Sequence, residues 1–86
     1  MIIDSKNLRG GWEFVVGVND SKFIVRLDQD YWQKLTDRKK TPDDLIIDSF
    51  KFLLARESRK SILKKFNLKV ISHYFPEYES ELTRGK

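Results

Sequence analysis

Apolar and polar residues alternate along two neighbouring stretches in the first third of the chain. The apolar positions are Trp12, Phe14, Val16 and Val18 in the first stretch and Phe23, Val25 and Leu27 in the second. An apolar residue at every second position is typical of a half-buried strand. Asn19 and Asp20 lie between the stretches, and both tolerate the positive φ of a tight hairpin turn. The pattern predicts a β-hairpin over residues 12–27.

A two-residue turn at Asn19 and Asp20 also fixes the register of this hairpin. On the apolar face it pairs Val18 with Ser21, Val16 with Phe23, Phe14 with Val25, and Trp12 with Leu27. On the other face it places Glu13 opposite Arg26, Val15 opposite Ile24, and Gly17 opposite Lys22. Because a slip by one residue would scramble the two faces, the turn and the alternation support the same register.

The clearest helix start follows a charged loop in the middle of the chain. Thr41 can cap a helix, Pro42 suits the first helical position, and two aspartates follow in the first turn. The apolar stripe of this helix contains Leu45, Ile46, Phe50, Leu53 and Leu54, widened by Ile47 and Phe52. Because the stripe is wider than a surface helix needs, we expect a central helix from Pro42 to about Glu57, packed on the hairpin.

Shorter helices are expected on both sides of the central one. Asp28 can cap a helix from Gln29 to about Leu35. Ser58 or Ser61 can cap a third helix with Ile62, Leu63 and Phe66, and Asn67 a fourth with Leu68, Ile71, Tyr74 and Phe75, stopped by Pro76. Residues 68–72 can also form a strand, but the cap and the spacing favour a helix. After Tyr78 the chain is polar, and we expect it to fray.

Length and composition are consistent with one small domain. The chain has 86 residues, of which 40% are hydrophobic and 13% aromatic, enough for a modest core. We predict an α+β fold, with an N-terminal antiparallel β-hairpin followed by three to four helices around a central amphipathic helix. Residues 1–86 form a single domain in this prediction, with an ordered core over about residues 11–78 and a polar C-terminal tail.

The side chains that usually carry catalysis or bind metals are scarce. The absence of cysteine excludes disulfides, thiolate metal sites and cysteine nucleophiles. The one histidine, His73, has no nucleophile beside it in the sequence, and we interpret Asp43, Asp44 and Asp48 as residues of a helix start. We expect a non-enzymatic protein with no cofactor, no metal and no small-molecule ligand. Without a long apolar run or a signal peptide, a cytoplasmic protein with no membrane contact is expected.

Basic residues dominate the segment that follows the central helix. They are Arg56, Arg59, Lys60, Lys64, Lys65 and Lys69, against Glu57 alone. In a helix, Arg56, Lys60 and Lys64 would share one face because they lie four residues apart. Such a stripe is typical of a protein that binds the phosphate backbone of nucleic acids, while a solvated helix face is the other interpretation. The net charge of +4 is compatible with both.

An aromatic segment close to the end of the chain is a second candidate site. Tyr74, Phe75 and Tyr78 surround a proline there. They can close the core over the outer hairpin face at Val15 and Ile24, or present an apolar patch to another protein. The sequence therefore favours a small binding or regulatory module, with nucleic acid as one partner class. The alternative is a protein interaction through this segment or by strand addition to a hairpin edge.

Residues 23–35, followed by the capped helix over residues 42–57, resemble the ribbon-helix-helix family of DNA-binding proteins. The resemblance implies a strand that pairs with the same strand of a second chain and inserts Lys22, Ile24 and Arg26 into the major groove. In the hairpin predicted above, residues 12–18 already pair with this strand, and Glu13 lies opposite Arg26.

A longer stretch, residues 12–78, is similar to small bacterial proteins of unassigned function. The shared pattern is a strand pair, then Leu-Thr, here Leu35-Thr36, and then a proline-initiated helix. That helix ends as Ser-Phe-x-Phe-Leu-Leu-x-Arg-Glu, here residues 49–57, and a third block covers residues 61–78. The third block reads Ser-Ile-Leu-x-x-Phe-x-Leu-x-x-Ile-x-x-Tyr-Phe-Pro-Glu-Tyr. This resemblance implies a family and no activity.

Overall fold

A computed structural model of the chain describes residues 1–83. The elements are β1 (Ile2–Leu8), β2 (Gly11–Val18), β3 (Ser21–Asp28), α1 (Gln29–Thr36), α2 (Pro42–Arg56), a 3₁₀ turn (Arg59–Ser61), β4 (Lys65–Asn67), α3 (Val70–Tyr74) and α4 (Tyr78–Thr83). The strands form one sheet in the order β1-β2-β3-β4. The first three strands are antiparallel, and β4 runs parallel to β3. The predicted α+β class, with an antiparallel strand pair and a central helix, is confirmed.

The register of the predicted hairpin is confirmed pair by pair, from Val18 opposite Ser21 to Trp12 opposite Leu27. Asn19 adopts the expected left-handed conformation, with φ at 54°. The inward side chains Phe14, Val16, Phe23, Val25 and Leu27 are all buried. The period-two alternation therefore identified the sheet face that the helices cover.

Strand β1 was not predicted from the sequence. It precedes the Arg9-Gly10 turn and pairs antiparallel with β2, with Leu8 opposite Gly11 and Ile2 opposite Val16, and a bulge between Ile2 and Asp4. Five of its seven side chains are exposed. Because backbone hydrogen bonds hold this edge strand, its sequence needs no apolar alternation, and the sheet begins before residue 11.

Helix α2 begins as expected. The Thr41 side chain accepts a hydrogen bond from the Asp44 amide at 3.0 Å, and Pro42 occupies the first turn. The helix ends at Arg56, and its Phe50 ring lies 5.4 Å from that of Phe23 on the sheet. Helix α1 begins after Asp28, whose side chain makes no capping hydrogen bond.

The predicted third helix, which would contain Ile62, Leu63 and Phe66, is wrong. The chain makes a 3₁₀ turn there and then extends as β4. The Lys64 carbonyl oxygen accepts a hydrogen bond from the Ile24 amide, and the Leu68 amide donates to the Arg26 carbonyl oxygen, each at 2.8 Å. Strand β4 thereby provides hydrogen-bond partners for backbone groups of β3 that would otherwise have none. This pairing outweighs the helical spacing of Ile62, Leu63 and Phe66.

Residues 70–74 form the short helix α3, so the helical interpretation of this region is confirmed in part and a strand over residues 68–72 is wrong. Asn67 does not occupy the cap position, because the helix starts later. Its side-chain oxygen instead accepts a hydrogen bond from the Lys69 amide at 3.2 Å.

The segment expected to fray after Tyr78 forms helix α4, with Leu82 buried. Its polar side chains find partners: Glu79 accepts a hydrogen bond from the Tyr31 hydroxyl at 2.9 Å. Residues 84–86 of the predicted tail lie outside the described part. Over residues 1–83, none of the helices has the length and apolar composition needed to cross a bilayer.

Candidate functional site

The six cations predicted to form a binding stripe do not share a helical face. The segment that carries most of them consists of a 3₁₀ turn, loops and a short strand. Helix α2 ends at Arg56, so the spacing of four residues does not place Lys60 and Lys64 on the same helical face as Arg56. Each cation has to be placed by its own contacts.

Two of the six cations form ion pairs within the domain. The Arg56 guanidinium lies 3.3 Å from Glu77 and 3.6 Å from Glu81, and it packs 3.7 Å above the Phe52 ring. Lys69 Nζ lies 3.7 Å from the Asp28 carboxylate. Because their charges are already matched by nearby carboxylates, Arg56 and Lys69 are poor candidates for phosphate contacts.

Of the other four cations, three lie beside the first residues of β3, and the fourth is next to one of them in the chain. Arg59 Nε donates to the Ser21 hydroxyl at 3.3 Å, and Lys64 Nζ lies 5.0 Å from the centre of the Phe23 ring. Lys65 is the register partner of Ile24. Lys60 follows Arg59 in the 3₁₀ turn.

A fifth cation, Lys22, joins this group from β3 itself. Strand periodicity places it on the same sheet face as Ile24 and Lys65, two positions before Ile24. We name the set the basic edge, which consists of Lys22, Arg59, Lys60, Lys64 and Lys65. Within residues 1–83, no carboxylate lies within 4.0 Å of the charged nitrogens of these five side chains. Its acidic neighbours along the chain are Asp20 and Glu57.

Next to the basic edge, the uncovered face of the sheet is partly apolar. Ile24 is 37% exposed there, with Val15 beside it on β2 and Lys65 beside it on β4. Ile3, 57% exposed, lies against Gly17, where an added Cβ would come 2.6 Å from its terminal methyl group. The prediction that the C-terminal aromatic residues cover Val15 and Ile24 is wrong, because those residues pack against α2 instead.

The three candidate interaction aromatics have different environments. Tyr78 is completely buried, so its predicted role as a surface contact is wrong. Its hydroxyl lies 2.6 Å from the Ser49 hydroxyl, which donates to the Leu45 carbonyl, and burial raises the pKa of Tyr78 well above its usual value. Phe75 is half-buried, 5.8 Å from the Phe52 ring. Tyr74, at 62% exposed, is the only one of the three that is free for a partner.

Tyr74 borders a cavity of about 210 Å³ between the end of α2, the 3₁₀ turn, β4 and α3. Its apolar lining includes Leu53, Leu63, Phe66, Val70 and Phe75. Leu63 is 51% exposed, so it and Tyr74 form an open apolar rim. We call this site the apolar groove; at this volume it suits a side chain rather than a large ligand.

The prediction that a partner strand could add to an edge of the β2–β3 hairpin is wrong, because both of those edges are already covered. Strand β1 covers the outer edge of β2, and β4 covers that of β3. Among the described residues, the free edges of the sheet therefore belong to β1 and β4. Because β4 pairs with residues 24–26 in the middle of β3, that edge is not open for the pairing between chains that the ribbon-helix-helix resemblance implies.

Residues suited to catalysis or metal binding are dispersed. His73 is exposed at the end of α3, with its ring edge-on to Tyr74 at 5.5 Å. In the described part of the chain, no three histidine or carboxylate side chains are grouped so that they could hold a metal ion.

Comparison with models of protein families, with curated proteins and with solved structures finds no match to this chain. The resemblance to small bacterial proteins of unassigned function stays a prediction. Function is therefore inferred from the two surfaces described above, the basic edge and the apolar groove.

Proposed function

We propose that this chain is a small non-enzymatic binding domain that contacts the phosphate backbone of nucleic acids through the basic edge. The supporting observation is that cations from three parts of the chain lie at or next to the start of β3 and that, within residues 1–83, none has a carboxylate within 4.0 Å. Cations without a carboxylate partner can neutralise phosphates, and the counterions that the nucleic acid then releases drive binding.

The composition of the basic edge favours phosphate contacts over base reading. Four of its five cations are lysines, which bind phosphate as point charges without the two-pronged geometry of arginine. The exposed apolar neighbours, Ile24 and Leu63, are aliphatic and offer no ring for base stacking. We therefore expect binding with little sequence preference and strong salt dependence.

The first prediction concerns three lysines of the basic edge. With five phosphate contacts, duplex affinity should fall by roughly 500-fold between 50 and 200 mM salt, and changing Lys60, Lys64 and Lys65 to glutamate should reduce the salt slope by about three. Affinity at low salt should fall by at least about tenfold. Fluorescence anisotropy with a labelled mixed-sequence duplex and the matching single strand measures both quantities.

The matched control changes three exposed lysines elsewhere, Lys34, Lys39 and Lys51, to glutamate. It alters the net charge equally but leaves the basic edge intact, so the local interpretation predicts nearly unchanged binding. Equal losses in the two triple variants, or no binding by the natural chain at low salt, would overturn the proposal.

As a second candidate, we propose that the apolar groove binds an apolar side chain of an acidic protein segment. Leu63 and Tyr74 are both more than half exposed at one rim, and Lys60 and Lys64 lie close to Leu63 along the chain. Cations beside an apolar anchor site favour a partner with acidic residues around its anchor.

The second prediction tests this groove with a short acidic peptide that carries one central tryptophan. Amide shifts in NMR titrations should concentrate on residues 61–75, and Tyr74→Ala or Leu63→Ser should weaken binding by about tenfold. Ile3→Ser, which removes an equally exposed residue on β1, should leave binding unchanged. A peptide with alanine in place of the tryptophan that binds equally well would count against the groove.

A further inference from the structure

Within residues 1–83, the outer edge of β1 has no partner strand, and it is regular from Asp4 to Leu8, after the bulge between Ile2 and Asp4. A two-residue hairpin turn makes Val18 and Ser21 a hydrogen-bonded pair, so Glu13, Val15 and Gly17 direct their backbone groups towards β1. The Gly17 amide accordingly donates to the Met1 carbonyl. Because backbone groups alternate along a strand, those of Ser5 and Asn7 point away from the sheet.

The same alternation places two opposite charges on one face of this edge. Asp4 lies opposite Val15, and Lys6 lies opposite Glu13, with which it forms an exposed ion pair at 3.4 Å. Both side chains therefore stand on the uncovered sheet face, one on each side of Ser5. The Ser5 amide currently donates to the Asp4 carboxylate at 2.9 Å, in an exposed contact that a partner strand can replace.

We propose that two copies of this chain associate through β1, with the strands antiparallel and a two-fold axis at Ser5. In this register, Ser5 pairs with Ser5 of the second copy through the outward backbone groups. Asp4 then lies opposite Lys6 of the second copy in both halves, at a non-hydrogen-bonded position, where side chains are closest.

Other symmetric registers with the same hydrogen-bonding parity are less favourable. A centre at Asp4 places two aspartates opposite each other, and a centre at Lys6 does the same with two lysines, which is destabilising. Centres at Ile3 or Asn7 shorten the overlap of Ile2–Leu8 with its copy. Charge complementarity therefore selects both the occupant of the edge and its register.

The dimer would have one continuous sheet of eight strands with both uncovered faces on the same side. At about 4.8 Å between neighbouring strands, its two β4 strands would lie about 34 Å apart. That distance matches one turn of B-form duplex, so two basic edges could engage one duplex together. This last consequence depends on the proposed function, whereas the association itself does not.

The third prediction uses charge exchange on the full chain, measured by sedimentation equilibrium at low salt. Asp4→Lys and Lys6→Asp should each weaken self-association at least tenfold, because like charges then face each other. A mixture of the two variants should recover a heterodimer, and the double variant should recover the homodimer. Thermal unfolding of each variant verifies that the domain remains folded.

Ser5→Pro provides a test that leaves the charges unchanged. It removes an outward amide and should give a monomer with an intact domain, because proline is tolerated on the open side of an edge strand. The interface is small, so association is expected in roughly the 10 µM to 1 mM range. A natural chain that stays monomeric there would overturn the proposal, as would failure of the mixed variants to associate.

Discussion

Replacing Tyr78 with alanine is expected to lower the free energy of unfolding by about 3–5 kcal/mol. The ring is completely buried against Phe52, at 5.2 Å between ring centres, and its hydroxyl bonds to the buried Ser49. Truncation would leave a cavity between α2 and α4 and remove the partner of a buried hydroxyl. Urea unfolding followed by circular dichroism measures the change.

Tyr74→Ala is the matched control for this prediction. It removes the same side chain four residues earlier, where 62% of it is exposed, so the expected change is within about 0.5 kcal/mol. Tyr78→Phe, which keeps the ring, should cost about 1 kcal/mol. Equal effects of the two alanine substitutions would mean that α4 contributes little to the core.

Gly11→Ala is expected to destabilise the domain by about 3 kcal/mol or more, the upper end of the usual range for overpacking. A Cβ at Gly11 would lie 2.3 Å from the Leu27 carbonyl oxygen. That oxygen belongs to the backbone of β3, so relief requires the two central strands to separate. The midpoint of thermal or urea unfolding measures the loss.

The neighbouring Gly10 separates this steric effect from backbone conformation. A Cβ there would meet nothing within 4 Å, but its φ is 79°, so Gly10→Ala should cost only about 1–2 kcal/mol. Gly10→Asn should cost less, because asparagine tolerates this conformation. If Gly10→Ala is as damaging as Gly11→Ala, close approach of the strands is not the main cause.

The elements that could be predicted from the sequence are those whose signals are local. Strands β2 and β3 combine strict alternation with a two-residue turn, and α2 combines a threonine cap with a proline in its first turn. The first pair of signals excludes other registers of the hairpin, and the second excludes other starting residues for α2. Strand β1 has neither signal, because an exposed edge strand can be polar on both faces.

Strand β4 and the C-terminal helix depend on partners far along the chain. Phe66 packs against the core beside Val25, and the Tyr78 hydroxyl contacts Ser49 on α2. A local pattern cannot distinguish a helix from a strand when backbone groups on the free edge of β3 need partners. The helical spacing of residues 61–66 was therefore misleading.

The candidate site likewise has a part that local sequence predicts and a part that depends on distant residues. Sequence identified the basic segment, but it could not tell that Arg56 and Lys69 find carboxylates in the fold. Lys22 was missing from the predicted stripe because it lies on another strand. Strand periodicity was the available signal, since it placed Lys22 on the outward face of the hairpin.

The late position of α2 and α4 in the chain affects the protein while it is being synthesised. The first three strands can close soon after Asp28 emerges, but their apolar face stays uncovered until α2 and Tyr78 have followed. At about 5–20 residues per second, this interval lasts roughly 3–10 s. During that time the exposed apolar face makes the nascent sheet prone to aggregation, and slowing translation within α2 would lengthen its exposure.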